Sequence, residues 1–364
     1  MSGFAVESAG AATAHAGGRD RAVFAGCDYL GLAHEPEIVD ALRRGLERYG
    51  VSAGASRATT GNAAAHEELE HDLARFLRLE AALLVPDGYL SNLVAAQGIG
   101  PECRTALVDR EAHVSFQDAL AAADIRVAPY DFLSAHMATV MAEEIRGRPF
   151  AVCTDGVYPV MRGIAPLREL LALVPRDGWL VVDDCHATGV LGERGRGTHD
   201  HCGISDPRLV VTGTLSKALG CFGGFVAGTR GLVETLRSRS RAFTASTPIP
   251  PALALAGSAA VRFLERDGAR VAMLSRNVDR VREVLQANGV DVHRLPLPVF
   301  AWKATSPDDG RRIHELLLDR GILVPHVTYP DGLGSYFRLA VSAAHTDSAI
   351  DRLDAALQES RRTP

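Results

Sequence analysis

The chain has 364 residues, of which 47% are hydrophobic and 23% are charged, the profile of an ordinary soluble globular protein. Its formal net charge of -5 and its lack of a Lys/Arg-rich run argue against a general nucleic-acid-binding protein. The six cysteines are scattered, with no C-x-x-C pair and no zinc-like spacing, so we expect reduced thiols and no metal site. No signal sequence or long uncharged apolar run is found, which predicts a cytoplasmic protein that does not enter a membrane.

The first part of the chain predicts a loose arm followed by an α/β domain. Residues 1–22 are rich in Ala and Gly and weakly patterned, so we expect an N-terminal arm that extends to residue 35. A helical pattern begins at Pro36, and from there strands and helices alternate over residues 36–247. The apolar strands are predicted at Ala81–Val85, Thr105–Val108, Ile125–Ala128, Phe150–Thr154, Trp179–Asp183, Leu209–Thr212 and Phe222–Ala227. This alternation implies a large domain with a mainly parallel sheet flanked by helices on both faces.

The pattern changes at a group of prolines, Pro248, Pro250 and Pro251. Long helices rich in Arg, Ala and Leu follow, and the tail carries its own strands near Val299–Trp302 and Phe337–Val341. We therefore predict a second, smaller α+β domain over residues 248–364.

Lys217 is the most informative single residue of the sequence. It follows an apolar strand in the stretch from Val210 to Gly220, and Lys303 is the only other lysine in the chain. Arginine carries nearly all the remaining positive charge. A lysine in this context suggests a site that needs an amine able to lose its proton and act as a nucleophile, because a guanidinium stays protonated.

Other polar residues follow the predicted strands nearby. Asp183 and His186 follow one strand, and Thr214 lies between the next strand and Lys217. Sites in open α/β sheets lie at the carboxyl ends of the strands. A lysine imine with an acidic partner for a ring nitrogen is what a pyridoxal phosphate (PLP) site requires. Thr214 and the Gly88–Tyr89 turn at a helix start could bind the phosphate. The alternative is structural, with Asp183 capping a turn and His186 hydrogen-bonded in the core.

Ordered motifs along nearly the whole chain, from about Asp28 to Leu357, resemble one enzyme family. They include Asp28-Tyr-Leu-Gly-Leu, Asp87-Gly-Tyr-Leu-Ser-Asn, Ala112-His-Val-Ser, Thr154-Asp-Gly-Val-Tyr, Asp183-Asp-Cys-His-Ala-Thr-Gly, Thr212-Gly-Thr-Leu-Ser-Lys, Ser246-Thr-Pro-Ile-Pro-Pro and Arg338-Leu-Ala-Val-Ser. The sequence is similar to the α-oxoamine synthase family of fold-type-I PLP enzymes. The resemblance implies a PLP-dependent transferase fold and a C-acyltransferase activity.

The resemblance also implies roles for catalytic residues. Lys217 would bind the cofactor as an imine and then act as the acid and base at the substrate Cα. Asp183 would hold the pyridine nitrogen protonated, and His186 would donate to the ring 3′-oxygen. His113 would stack on the ring face and touch the acyl substrate.

Further residues would bind the phosphate and the substrate. In this family pattern Gly88, Tyr89 and Thr214 bind the phosphate, and Ser246 and Thr247 reach it from the partner subunit, which implies a homodimer with shared active sites. Arg338 would bind the carboxylate of the amino-acid substrate, a role suited to a bidentate guanidinium. Thr328 lies where the family often has a threonine that contacts substrate.

Two positions depart from the family pattern. Pro159 replaces a serine that bonds the cofactor's oxygen, and proline offers neither a hydroxyl nor an N–H donor. Cys27 replaces an asparagine that helps to bind the substrate carboxylate. The N-terminal arm also lacks a clear counterpart of a helix that recognises long or carboxylated acyl chains.

The resemblance implies that a small amino acid (glycine, alanine or serine) condenses with an acyl thioester of CoA or of a carrier protein. The product would be an α-amino ketone or an α-amino-β-keto acid. Pro159 and Cys27 motivate an alternative on the same fold, an aldolase-type lyase of β-hydroxy amino acids or an aminotransferase. An inactive regulatory or scaffold subunit is a third possibility, against which the presence of Lys217, Asp183 and His186 argues.

Overall fold

The computed structural model describes residues 5–145, 147–328 and 334–362. Its strands are β1 (Val6–Ala9), β2 (Thr13–Ala16), β3 (Arg19–Val23), β4 (Ala81–Val85), β5 (Thr105–Asp109), β6 (Arg126–Tyr130), β7 (Ala151–Asp155), β8 (Val157–Tyr158), β9 (Gly163–Ile164), β10 (Trp179–Asp183), β11 (Leu209–Thr214), β12 (Gly224–Gly228), β13 (Val299–Trp302), β14 (Ile322–Leu323), β15 (His326–Thr328) and β16 (Ser335–Ala340). The α-helices are α1 (Pro36–Tyr49), α2 (Ala64–Leu77), α3 (Gly88–Ile99), α4 (Val114–Ala122), α5 (Ala135–Glu144), α6 (Leu167–Leu173), α7 (Thr198–His201), α8 (Arg230–Arg239), α9 (Arg241–Thr244), α10 (Pro251–Arg266), α11 (Ala269–Ala287), α12 (Pro307–Asp319) and α13 (Asp347–Arg362).

A seven-stranded sheet forms the centre of the larger unit. Its strand order is β4-β12-β11-β10-β7-β5-β6. The five strands from β11 to β6 run parallel, whereas β12 is antiparallel to both of its neighbours. The strands are apolar along most of their length, as expected for a sheet covered by helices on both faces. The structure thus confirms the predicted α/β fold with a mainly parallel sheet.

The chain divides into two compact units with boundaries that differ from the predicted ones. The first unit comprises Met1–His34, Pro159–Arg162 and Gly268–Pro364, and the second comprises Glu35–Tyr158 and Gly163–Asp267. We predicted a boundary at 247/248 because of the prolines. Pro251 instead occupies the first turn of α10, where its fixed φ suits a helix start, and α10 packs on α1 and α2 of the second unit.

The segment from Val6 to Val23 forms three strands, contrary to the prediction of a loose arm. Strands β1, β2 and β3 form an antiparallel meander, and β3 pairs in parallel with β14. The first unit therefore combines strands from early and late parts of the sequence. It also contains a second sheet of order β13-β16-β15. Among the described helices, none is long and apolar enough to cross a membrane.

A buried ion pair links helix α2 to the start of the central sheet. The Arg57 guanidinium, 7% exposed, donates to both carboxylate oxygens of Glu70, and Arg237 of α8 donates to the same carboxylate. Glu70 also accepts the Leu84 N–H at 2.8 Å. One carboxylate thus pairs with two guanidinium groups and accepts from one strand amide.

A buried histidine joins the two ends of the first unit. His345 is 5% exposed and stacks on Phe24, with the ring centroids 4.0 Å apart. Its Nδ1 accepts the Ser342 N–H at 2.9 Å, so Nε2 carries the hydrogen and donates to the Val23 carbonyl at 2.9 Å. Burial lowers the pKa of His345 from 6.5 to about 4.

We predict that Glu70→Ala strongly destabilises the protein. The substitution leaves Arg57 buried without its carboxylate, a loss of about 3–5 kcal/mol in the free energy of unfolding. Urea unfolding followed by circular dichroism measures the shift of the midpoint. Glu102→Ala is the control, because it removes an exposed pair with Arg239 and is expected to cost about 1 kcal/mol or less. Equal effects of the two substitutions would contradict this role for Glu70.

We also predict that His345 contributes to acid unfolding. Its folded-state pKa is depressed, so its contribution to stability is fully present above pH 6.5 and is lost as the pH falls towards about 4. The loss is roughly 3 kcal/mol, since one pKa unit corresponds to about 1.4 kcal/mol. Urea midpoints measured from pH 7 to pH 4 for the wild type and His345→Gln test this. The variant is expected to start less stable and to lose less stability between these pH values; parallel curves would exclude the proposed titration.

Candidate active site

The carboxyl ends of the central strands bring the predicted polar residues together. Asp183 ends β10 and is paired in register with Asp155 at the end of β7 and with Thr212 of β11. Asp183 is 7% exposed. Its Oδ2 accepts from the Asn92 amide at 2.7 Å, and its Oδ1 accepts the Cys185 N–H at 3.0 Å. The carboxylate is therefore held in one orientation by donors on both of its oxygens.

Asn92 of helix α3 connects Asp183 to neighbouring elements. Its Oδ1 accepts the Thr212 hydroxyl at 2.7 Å, and its Nδ2 donates to Asp183 and, at 2.8 Å, to Ser115 Oγ. The side chain thus uses the oxygen and both amide hydrogens. Asn92 and Ser115 lie in motifs that the sequence analysis matched, yet it assigned neither a role. A buried polar side chain within an apolar helix was the available signal.

His113 lies at the start of α4, where it caps the helix. Its Nδ1 lies 2.8 Å from Ser115 Oγ and accepts the Ser115 N–H at 3.3 Å. Its own N–H donates to Asp155 Oδ1 at 3.1 Å. Desolvation lowers the pKa of His113 and the Lys217 charge lowers it further, while the Asp183 carboxylate opposes both.

Asp155 is a second carboxyl group that the sequence analysis did not single out. Burial and then the nearby Asp183 charge raise the pKa of Asp155 well above its ordinary value. The His113 N–H and the Lys217 ammonium oppose that rise. Like charges on adjacent strand ends disfavour ionisation, which adds to the effect of burial on Asp155.

The backbone at Gly88 packs closely against Thr214, near the carboxylates of Asp183 and Asp155. Thr214 ends β11, where its hydroxyl donates to the Gly223 carbonyl at 3.0 Å and accepts the Ser216 N–H at 3.0 Å. Gly88 begins α3, and a Cβ at this position would lie 2.8 Å from Thr214 Cβ. The N-terminus of α3 can approach the strand only because residue 88 has no side chain. The resulting cradle suits an anion such as a phosphate.

Tyr89, Lys217 and His186 complete this end of the sheet. Tyr89 is 45% exposed, its hydroxyl contacts Asp118, and its ring meets His113 edge-on with the centroids 6.1 Å apart. Lys217 is half-buried in the bend after β11, and its charge acts on His113, Asp155 and Cys185. His186 is half-buried in the turn after β10.

Ser246 and Thr247 lie between α9 and α10. The Ser246 hydroxyl donates to the Ala242 carbonyl at 2.5 Å, and Thr247 is exposed. Their expected contact with a second subunit remains a prediction.

The predicted substrate residues belong to the first unit. Arg338 lies on β16, with Nη2 4.0 Å from Cys27 Sγ, and both groups act on the buried Tyr29 hydroxyl. Burial raises the pKa of Tyr29 well above its ordinary value. Thr328 ends β15, and its hydroxyl lies 2.7 Å from Ser335 Oγ. Pro159 follows β8 in the Pro159–Arg162 turn.

These residues fit PLP by their chemistry. The second unit supplies an oriented carboxylate in Asp183, a lysine, a histidine beside Asp183, and a helix N-terminus packed against Thr214. A pyridinium nitrogen, an aldehyde carbon and a phosphate each have a matching group in this set. Within the described residues, no cluster of three or more His, Cys, Asp or Glu side chains could hold a metal ion.

Comparison with known proteins agrees with this chemistry. The family model for aminotransferase class I and II matches residues 23–357. The chain is 38% identical over 347 residues to 8-amino-7-oxononanoate synthase of Methylococcus capsulatus, covering 94% of this chain and 89% of that protein. It is 37% identical over 351 residues to the enzyme of the same name from Thioalkalivibrio sulfidiphilus, with 95% and 89% covered.

Solved structures share the fold. Serine palmitoyltransferase from S. paucimobilis, in a variant with a bound PLP–myriocin aldimine, superposes with a TM-score of 0.93 at 23% identity, covering 99% of this chain and 92% of that one. The 8-amino-7-oxononanoate synthase of Francisella tularensis gives 0.78 at 23% identity, covering 94% and 98%. This chain therefore belongs to the aminotransferase class I and II family and, as the motifs indicated, is a PLP-dependent α-oxoamine synthase of the C-acyltransferase type.

Proposed function

We propose that this enzyme condenses alanine with the thioester of a seven-carbon dicarboxylic acid to give 8-amino-7-oxononanoate. The observation that carries the catalytic part is the Asp183 carboxylate, oriented by Asn92 at the strand edge that also carries Lys217, His113 and Thr214. The choice of substrates rests on the relatives named above, which share this product name at 37–38% identity over more than nine-tenths of the chain.

The product name itself specifies the two substrates. Carbons 7 to 9 carry a ketone, an amine on the adjacent carbon and a terminal methyl group, and the CH3–CH(NH2) unit is alanine without its carboxylate. Carbons 1 to 7 are an acyl chain with a free carboxylate at its far end. The reaction therefore forms one bond from the alanine Cα to the acyl carbon, and it releases the thiol and CO2.

Lys217 and Asp183 would perform the central steps. PLP, when bound, withdraws electrons from the substrate Cα through its protonated ring. The Asp183 carboxylate would keep the ring nitrogen protonated. The Asn92 amide and the Cys185 N–H donate to its two oxygens and hold it in place for that role. The Lys217 amine would take the Cα proton and later return a proton to the same carbon.

The remaining residues would bind and orient. Gly88, Tyr89 and Thr214 would hold the phosphate, with Tyr89 acting through its backbone because its hydroxyl contacts Asp118. Ser246 and Thr247 of a second copy would complete the phosphate site, so we propose a homodimer. His186 would donate to the 3′-oxygen of the cofactor, without the help of a serine at position 159.

The carboxylate of the amino acid would bind Arg338, with Thr328 as a further contact. The acyl group would arrive as a thioester of CoA or of a carrier protein, and His113 would contact it. We propose that the enzyme works in the cytoplasm, a reducing compartment that suits its six free cysteines.

The alternative, an aldolase-type lyase or aminotransferase, is favoured by Pro159 and Cys27 alone. Assays of thiol release with the seven-carbon dicarboxylic acyl-CoA and with alanine, glycine or serine separate the two reactions. Release of thiol and CO2 with alanine supports the proposal. Aldehyde formation from β-hydroxy amino acids, or keto-acid formation without a thioester, would identify the alternative.

We predict that Lys217→Ala lowers kcat by at least about 10³-fold, because the variant lacks the group that moves the Cα proton. Borohydride reduction in the presence of PLP is expected to label a peptide containing residue 217 in the wild type. Lys303→Ala is the matched control, since Lys303 is the other lysine and is exposed. Label retained in Lys217→Ala, or lost in Lys303→Ala, would refute the assignment.

We predict that Cys27→Asn lowers the KM for the amino acid. An amide beside Arg338 adds a donor for the substrate carboxylate, and a hydrogen bond to a charged group corresponds to roughly 10-fold in binding. Steady-state kinetics at saturating thioester measure the change. Cys202→Asn, at a half-buried cysteine of the second unit, controls for the loss of a thiol. An unchanged or raised KM in Cys27→Asn would place the carboxylate elsewhere.

A further inference from the structure

A continuous hydrogen-bond chain connects Asp183 to the His113 ring. The Thr212 hydroxyl donates to Asn92 Oδ1, so the Asn92 amide hydrogens must point to the other side. They reach Asp183 Oδ2 at 2.7 Å and Ser115 Oγ at 2.8 Å. The reverse amide orientation would place Oδ1 against the Asp183 carboxylate, where two acceptors repel. The orientation of Asn92 is therefore fixed.

The orientation of Asn92 determines the direction of the next bond. Ser115 Oγ accepts from Asn92, and its hydroxyl hydrogen can then be donated to His113 Nδ1 at 2.8 Å. The Ser115 backbone N–H points to the same nitrogen at 3.3 Å. A hydrogen on Nδ1 would oppose this N–H. Nδ1 is thus an acceptor for two donors, and in a neutral imidazole the hydrogen must lie on Nε2.

We propose that Ser115 and Asn92 are positioning residues that hold His113 as the neutral Nε2–H tautomer. This inference rests on the proposed function for its catalytic meaning. His113 can then donate a hydrogen bond from Nε2 to an oxygen of the substrate. It cannot accept the Cα proton at that nitrogen, which leaves that step to Lys217.

The groups around His113 agree with a neutral ring. Desolvation disfavours the charged form of the ring, Asp183 opposes that effect, and the Lys217 charge adds to it. Asp155 accepts the His113 main-chain N–H, and the Tyr89 ring lies edge-on to the imidazole. Among the described residues, none accepts a hydrogen bond from Nε2, which leaves that donor available to a ligand.

The tautomer can be observed directly by neutron diffraction from crystals of the deuterium-exchanged, full-length enzyme with PLP. We expect deuterium on Nε2 of His113, none on Nδ1, and the Ser115 hydroxyl deuterium directed at Nδ1. Deuterium on Nδ1 would overturn the proposal. This measurement needs no variant, so it decides the question even where a substitution prevents folding.

The role of Ser115 is tested by NMR titration of the full-length chain labelled at histidine Cε1, with His113→Gln used to assign the resonance. Ser115→Ala removes one donor to Nδ1 and makes protonation easier, so the pKa of His113 should rise by about half a unit to one unit. Ser258→Ala, which removes another buried hydroxyl, should leave it unchanged. Equal pKa values in the two variants would also overturn the proposal.

These readouts are independent of turnover. An enzyme that releases no thiol but shows the expected deuterium and pKa values would retain the positioning network and lose the proposed function. An enzyme that makes the amino ketone but carries deuterium on Nδ1 would retain the function and lose the network.

Discussion

The hydrogen bond between the Asn92 amide and the Asp183 carboxylate is the interaction on which the site depends. A buried carboxylate is costly unless donors compensate for the water it has lost. Asn92 and the Cys185 N–H provide those donors, one to each oxygen. Asp155 lies on the adjacent strand end, where burial and the Asp183 charge raise its pKa. The two donors therefore keep the Asp183 carboxylate in one orientation beside the groups that would meet the cofactor.

Strand register and glycines at two close contacts make this arrangement possible. Parallel pairing places the ends of β7, β10 and β11 at one edge, which is why residues far apart in sequence meet there. The antiparallel strand β12 then lies against the start of α3, where a Cβ on Gly224 would collide with the Asp87 carbonyl. Gly88 permits the matching approach to Thr214. The small residues of these motifs thus allow a helix N-terminus and a strand end to share one site.

The sequence predicted what depends on strong, local patterns. Apolar runs predicted the central strands to within about two residues, and the polar residues that follow β10 and β11 lie together at one edge of the sheet, as expected. Weak patterns failed: β1 is four exposed residues in an Ala/Gly-rich segment, and its order comes from pairing within the first unit rather than from its own composition. The sequence did not point to Asn92 and Ser115, because a polar residue on a helix is usually a structural hydrogen-bonding group. Only the structure shows which residues they contact.

His345 and His113 show how the hydrogen-bond partners of a histidine distinguish a structural role from a functional one. Each has Nδ1 fixed as an acceptor by the N–H of a nearby serine, Ser342 for His345 and Ser115 for His113. The Nε2–H of His345 donates to the Val23 carbonyl in a buried site, so that ring joins two segments and its protonation costs stability. His113 is exposed, and within the described part of the chain its Nε2 has no hydrogen-bond partner. The same local arrangement therefore stabilises the fold at one position and, in the tautomer we propose, provides a hydrogen-bond donor for a substrate at the other.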